Sequence, residues 1–241
     1  MKAPRGREAF LALAKMAGLF ADYDFLHPDP DGAGPRTHCE FAVGAEGLPL
    51  LRERRATSRR IRIWSAGCST GQEAYSLAML FDADKTDWQG WKIEIIATDI
   101  SEAVLSKARE ARYCQFEIQR GLSVDYMLRY FTQEEGDWVL NPEIRELVTF
   151  RQDNLVQPAS DLGVFDLILC RNVLMYFGTE TREVAYRRLA SAIASDGLLM
   201  LGAAETVLGA TRSFTANSTI RGLYAPTGRP ADTLPPSVIL V

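Results

Sequence analysis

Histidine is nearly absent from this 241-residue chain, which holds two, and its four cysteines stand singly at Cys39, Cys68, Cys114 and Cys170. With no Cys-x-x-C pair and no histidine cluster, the spacings that hold zinc are missing, and no metal site is expected. Isolated thiols without a signal peptide predict a reducing, cytoplasmic setting. No apolar run reaches the roughly 20 residues that span a bilayer, so direct membrane insertion is not expected. A net charge of −4 provides no general attraction for nucleic acid. Also missing are a Gly-Lys-Ser/Thr phosphate loop, a regular G-x-G-x-x-G and a catalytic Ser-His triad. Charge of one sign gathers only once, in Arg52, Arg54, Arg55, Arg59, Arg60 and Arg62. That run reads either as a solvated linker and strand edge or as a docking patch for an acidic partner.

The hydrophobic share, 47%, is ample for one substantial core. Apolar spacing predicts a helix over 7–21 and a weaker one over 44–55, with a Pro/Gly-rich loop at 28–36 between them. Strands are expected at 61–66, 91–98, 147–152, 165–170, 198–202 and 220–224. Helices are expected at 72–81, burying Ala74, Leu77, Ala78 and Phe81 on one face, at 179–194, ended by Asp196-Gly197, and after a Ser101 cap, in a helix that carries Val104, Ala108 and Ala111. Between 113 and 147, Tyr126, Met127, Tyr130 and Phe131 predict a short helix and Trp138–Leu140 a short strand, a packed cover over the sheet end. Alternating strands and helices make a doubly wound α/β fold: a mostly parallel, Rossmann-like sheet with helices on both faces and a short N-terminal helical segment. The expected division is a helical or lid segment at 1–60, the α/β domain at 61–226 and a Pro-containing tail at 227–241.

Such sheets bind ligands at the carboxyl ends of their strands. The candidates are therefore the residues that follow predicted strands. After the first strand comes Ala66-Gly67-Cys68-Ser69-Thr70-Gly71, a loop of small residues that lets a ligand approach the backbone. Its lack of lysine argues for a nucleoside without a phosphate chain. Glu73, in the next helix's first turn, reads either as a dipole-stabilising surface carboxylate or as a partner for a ligand ammonium. Asp99 ends the second strand, where a carboxylate can accept from both ribose hydroxyls or simply cap a turn. Asn154, in Asp153-Asn154-Leu155, offers a donor and an acceptor to an adenine edge, or serves a turn. Arg171 and Asn172 follow the apolar strand 165–170. The planar guanidinium suits a carboxylate, and Tyr176 is a candidate second donor beside it.

Together these segments resemble the CheR-type chemotaxis receptor methyltransferases. The resemblance lies in Trp64-Ser-Ala-Gly-Cys-Ser-Thr-Gly-Gln-Glu-Ala-Tyr-Ser, Ala97-Thr-Asp-Ile, Asp153-Asn-Leu, Cys170-Arg-Asn-Val-Leu-Met-Tyr-Phe and Asp196-Gly-Leu-Leu-Met-Leu-Gly-Ala-Ala-Glu. It implies transfer of a methyl group from S-adenosylmethionine to glutamates of chemoreceptor cytoplasmic domains, or of another signalling protein, leaving S-adenosylhomocysteine. By that resemblance Gly67, Ser69, Glu73, Asp99, Asn154, Leu155, Arg171 and Asn172 line the cofactor pocket, and Arg171 and Tyr176 sit nearest the transfer site. Where the family carries a Thr-x-Phe-Phe-Arg-type segment, this chain reads Thr37-His-Cys-Glu-Phe41. Thr37 is carried over as a cofactor contact, and Phe41 takes the arginine's place. A glutamate is already ionised at neutral pH, so the implied chemistry needs positioning rather than a general base. Two alternatives remain: a non-catalytic S-adenosylmethionine-binding module, and a small-molecule carboxyl methyltransferase.

Overall fold

The computed structural model describes residues 47–228 apart from 120, 121, 123, 158–160, 203, 219 and 221. The expected helix over 7–21, the loop at 28–36, Thr37 and the tail beyond 228 lie outside the described residues. The first half runs α1 (Leu48–Arg54), β1 (Arg60–Ala66), α2 (Gln72–Ala83), β2 (Lys92–Asp99), α3 (Glu102–Glu110), β3 (Arg112–Tyr113), α4 (Gln115–Gln119), α5 (Val124–Tyr130), β4 (Phe131–Glu134) and β5 (Asp137–Leu140). Then follow α6 (Pro142–Arg145), β6 (Val148–Gln152), β7 (Phe165–Cys170), a 3-10 turn (Leu174–Tyr176), α7 (Thr179–Ala192), β8 (Ile193–Leu201), β9 (Phe214–Ala216) and β10 (Leu223–Pro226).

Side chains on a strand alternate between faces, and here both faces are buried. Ile61, Ile63, Ile95, Ala97, Leu167 and Leu169 enter one apolar cluster. Their neighbours Trp64, Ala66, Ile96, Ile168 and Cys170 enter the other. The sheet order is β6-β2-β1-β7-β8-β10-β9. The strands from β6 to β8 pair in parallel, and β10 runs antiparallel to both β8 and β9. Strand order thus reverses between β1 and β7, the crevice where open α/β sheets bind ligands.

Several elements depart from expectation. α2 buries eight consecutive residues, Ala74–Phe81, rather than one face. The cover closes its outer side, where the Tyr130 hydroxyl donates to Asp82 at 3.0 Å. That cover holds a three-stranded antiparallel sheet, β3-β5-β4. Phe131 begins β4 rather than continuing a helix, because Glu135 and Gly136, at φ 52° and 92°, turn β4 back onto β5. Ala111 is the left-handed cap of α3, and its buried face is Leu105 and Ala108. α7 stops at Ala192, and Asp196-Gly197 lies inside β8, so this pair does not end the helix. The last strand is Leu223–Pro226, and Ile220 precedes it. No helix among the described residues is long and apolar enough to cross a membrane.

The arginine run is exposed at Arg52, Arg54, Arg59 and Arg60, as a solvated strand edge would be, but Arg55, Arg60 and Arg62 are held in ion pairs. Arg55, just past α1, donates to Asp166 at 2.6 Å and to both Asp196 oxygens at 2.5 and 2.7 Å. Arg60 and Arg62 both pair with Glu94, and their hydrogen bonds hold its carboxyl at about 2. Arg62 also donates to the carbonyls of Leu162 and Val164. These arginines tie α1 and the starts of neighbouring strands together at the end of the sheet opposite the crevice.

Candidate functional site

The loops leaving β1 and β7 meet at the crevice. Gly67 sits at φ 78°, and a Cβ there would lie 2.4 Å from Cγ2 of Val173. Any side chain at 67 would have to displace the Val173 side chain. The amides of Gly67 and Cys68 both donate to the Thr98 carbonyl, at 2.8 and 2.9 Å. The Ser69 amide donates to Oδ2 of Asp99 and the Ser101 amide to Oδ1, each at 3.0 Å. The Asp99 carbonyl in turn accepts the Asp153 amide at 3.0 Å. One hydrogen-bonded rim therefore carries Gly67, Ser69, Asp99 and the loop that holds Asn154. Asp99 does serve as a turn cap, yet each of its oxygens accepts one backbone amide and keeps further lone-pair capacity.

Glu73 is not a surface carboxylate. Its side chain is 14% exposed, facing that of Arg171, 6% exposed, at 3.4 Å. The hydroxyl of Ser65, a buried residue at the end of β1, donates to Oε1 of Glu73 at 2.6 Å. Burial pushes the Glu73 carboxyl above its ordinary value; the Arg171 charge and the Ser65 bond pull it back, and the Glu205 charge raises it again. Arg171 follows β7 as expected but turns inward instead of emerging into solvent. Tyr176, five residues on, is 78% exposed. The structure thus brings Gly67, Glu73, Asp99, Asn154, Arg171 and Asn172 to one end of the sheet and leaves Tyr176 on its outer surface. Ile100, Met175 and Leu208 are also exposed there, each on a loop that follows one of the parallel strands β2, β7 and β8. The Cys68 thiol is buried and pushed well up by desolvation, which makes it a poor nucleophile.

The loop after β6 is braced from the far side. Asn154 Oδ1 accepts the Val156 amide at 3.1 Å, an Asx turn, and Leu155 is buried. Arg188, on the inner face of α7, grips both oxygens of Asp153 at 2.7 and 2.6 Å. It also donates to the carbonyls of Asn154 and Gln157. The sequence reading missed Ser65, Arg188 and Glu205. Arg188 had a visible signal, since it falls at helical spacing between the inward residues Ala185 and Leu189. A separate groove, lined by Pro49, Arg52, Glu53, Ala56, Arg59 and Trp91, lies at the other end of the sheet. Among the described residues no group of three His, Cys, Asp or Glu could hold a metal ion.

A family model described as the CheR methyltransferase SAM-binding domain matches residues 38–222. Chemotaxis protein methyltransferase 1 of Pseudomonas aeruginosa is 41% identical over 153 residues, covering 62% of this chain and 56% of that protein. A protein of the same name from Vibrio cholerae is 38% identical over 169 residues, 68% of this chain and 61% of that protein. The chain therefore spans less than two thirds of either relative. A TehB-like SAM-dependent methyltransferase from Corynebacterium glutamicum has a TM-score of 0.41 at 15% identity, covering 73% of this chain and 84% of that one.

Proposed function

Since the chain belongs to the family of the CheR methyltransferase SAM-binding domain, we propose that it transfers a methyl group from S-adenosylmethionine to glutamate carboxylates of chemoreceptor cytoplasmic domains, forming methyl esters. The observation that carries this reading is the convergence of a glycine loop, two carboxylates and a guanidinium at the strand-order reversal. That donor set fits the cofactor. Asp99 has acceptor capacity for ribose hydroxyls, and Asn154 and Leu155 offer a polar edge and an apolar wall to the adenine. Glu73 holds a buried negative charge for the ammonium, and the left-handed Gly67 keeps side chains away from the backbone. When bound, the cofactor supplies an electrophilic methyl group on a sulfonium. The chain's own work is to hold, orient and dehydrate. Arg171 and Asn172 belong to the turn beside the methionine end of the pocket, and Tyr176, at the outer end of that turn, meets the incoming substrate. No general base is required, because the accepting carboxylate is ionised at neutral pH.

The deciding experiment incubates the purified chain with methyl-labelled cofactor and receptor cytoplasmic fragments. Base-labile label on the fragments is expected. Cofactor binding without transfer would instead identify a binding module, and label on a small carboxylic acid would identify a small-molecule methyltransferase.

The raised Glu73 carboxyl also sets a pH dependence. Its protonated form persists above the ordinary carboxylate midpoint of 4.5, and only the ionised form attracts an ammonium. Cofactor affinity is therefore expected to keep climbing as pH is raised above 4.5, with a proton released on binding where Glu73 is partly protonated. Calorimetry in two buffers of different ionisation enthalpy measures that proton. An equally steep climb in the Glu73→Gln variant would assign it to another group.

A further inference from the structure

Besides raising the Glu73 carboxyl, Glu205 is a buried carboxylate with a dense set of backbone donors. Oε1 accepts the amides of Val173 and Met175 at 3.0 and 3.1 Å. Oε2 accepts those of Asn172 and Gly202 at 2.9 and 2.8 Å. The residue is 8% exposed. Three of the four donors belong to the turn that starts at Arg171 and ends at Tyr176, and the fourth lies at the end of β8. Asn172 sits at φ 57°, a left-handed conformation that lets successive amides point into one concavity. Such a nest binds anions, and here the anion is the chain's own side chain. Gly202 is part of the same fit: a Cβ there would lie 2.8 Å from Oε2 of Glu205 and 2.9 Å from the Asn172 nitrogen.

We propose that Glu205 is a positioning residue for methyl transfer: its carboxylate clamps the turn between β7 and the 3-10 helix to the end of β8. The clamp fixes the direction in which Arg171 enters the pocket and Tyr176 leaves it. The inference rests on the transferase reading. Charge-assisted bonds to amides are stronger than neutral ones. An amide in place of the carboxylate keeps the volume but presents one donor group to backbone N–H groups. The clamp then loses two of its four bonds while the ribose side of the pocket, built on Asp99, is untouched. Alignment suffers more than binding, and misplacement by about an ångström is enough to slow transfer severely.

The test compares Glu205→Gln and Gly202→Ala with the unaltered chain, each first shown to be folded by circular dichroism and melting. Both are expected to lower kcat for transfer to receptor fragments at least tenfold, while affinity for S-adenosylhomocysteine changes less than fivefold. In the cofactor-free chain, amide hydrogen exchange of Asn172, Val173, Met175 and Gly202 is expected to speed up at least tenfold in Glu205→Gln, and elsewhere to stay unchanged. A folded Glu205→Gln variant with kcat within twofold of the original overturns the proposal. Unchanged exchange at those four amides, or equal loss of kcat and affinity in step with melting, also overturns it. If the unaltered chain binds cofactor but methylates no receptor, the functional reading falls, and the exchange pattern alone upholds or overturns the clamp.

Discussion

Arg188→Met is expected to lower the melting temperature by roughly 10 °C, from a loss of about 3–5 kcal/mol on breaking a buried ion pair and about 2–4 °C per kcal/mol in a domain of this size. Both side chains are nearly sealed from water, Arg188 at 5% exposure and Asp153 at 8%. Removing the guanidinium leaves the Asp153 carboxylate without its counter-ion and takes a donor from the carbonyls of Asn154 and Gln157. A buried charge left in that way, rather than the lost attraction, accounts for most of the cost. Pairing Arg188→Met with Asp153→Leu is therefore expected to recover much of the lost stability. Cofactor affinity should not recover, since Asn154 and Leu155 stay unbraced. Thermal unfolding followed by circular dichroism decides the matter. A melting point within 2 °C or so of the original, on the same scale, would mean that the Asx turn and Leu155 hold the loop without the helix.

Gly67→Ala is expected to cost about 2–5 kcal/mol, combining about 1–2 for a left-handed residue with a Cβ and about 1–3 for overpacking against Val173. The conformational part follows from φ 78° and the packing part from the 2.4 Å approach to Cγ2 of Val173. Adding Val173→Ala is expected to return the packing part and leave the conformational part. The functional effect is local, because the amides of Gly67 and Cys68 share one carbonyl acceptor, Thr98. Moving one loop shifts the floor of the pocket, and affinity for S-adenosylhomocysteine is expected to fall at least tenfold. Calorimetry and melting on the unaltered chain and the two variants separate the two contributions. Full affinity in a folded Gly67→Ala variant would show that the pocket floor lies elsewhere.

The elements that sequence reading located best are those with a strict period and clear punctuation. β1, β2 and β7 carry apolar runs followed at once by small or polar residues, and parallel strands buried on both faces must read that way. Ser101, ahead of Glu102, marks the start of α3, and its hydroxyl accepts the Val104 amide. In the cover, the short helix around Tyr126 and Tyr130 and the strand at Trp138–Leu140 were legible, whereas its other two strands were not. Its two-residue strand β3 and four-residue β4 are too short for a period, and a Glu-Gly turn is a faint signal. The boundary at Ala192 was misplaced because the helix passes directly into β8, and helical spacing continues through Ile193.

The convergence of Gly67, Asp99, Asn154 and Arg171 at one end of the sheet was readable from their places after strands. Their partners were not. Glu73 looks like an ordinary first-turn carboxylate until β1 and β7 pair side by side and set Ser65 and Arg171 against it. Arg188 and Glu205 act on loops 30 or more residues away in sequence, and no local pattern encodes a partner at that separation.

What the order of residues determined by itself is the alternation of strand and helix, and with it the rule that ligand-facing groups lie just past strand ends. The folded chain decided which charges are buried and what they face. The physical reason is that burial and pairing depend on distance in space: a carboxylate among solvent-exposed neighbours and one enclosed by Ser65 and Arg171 are the same letter, but they differ in proton affinity and in what they can bind.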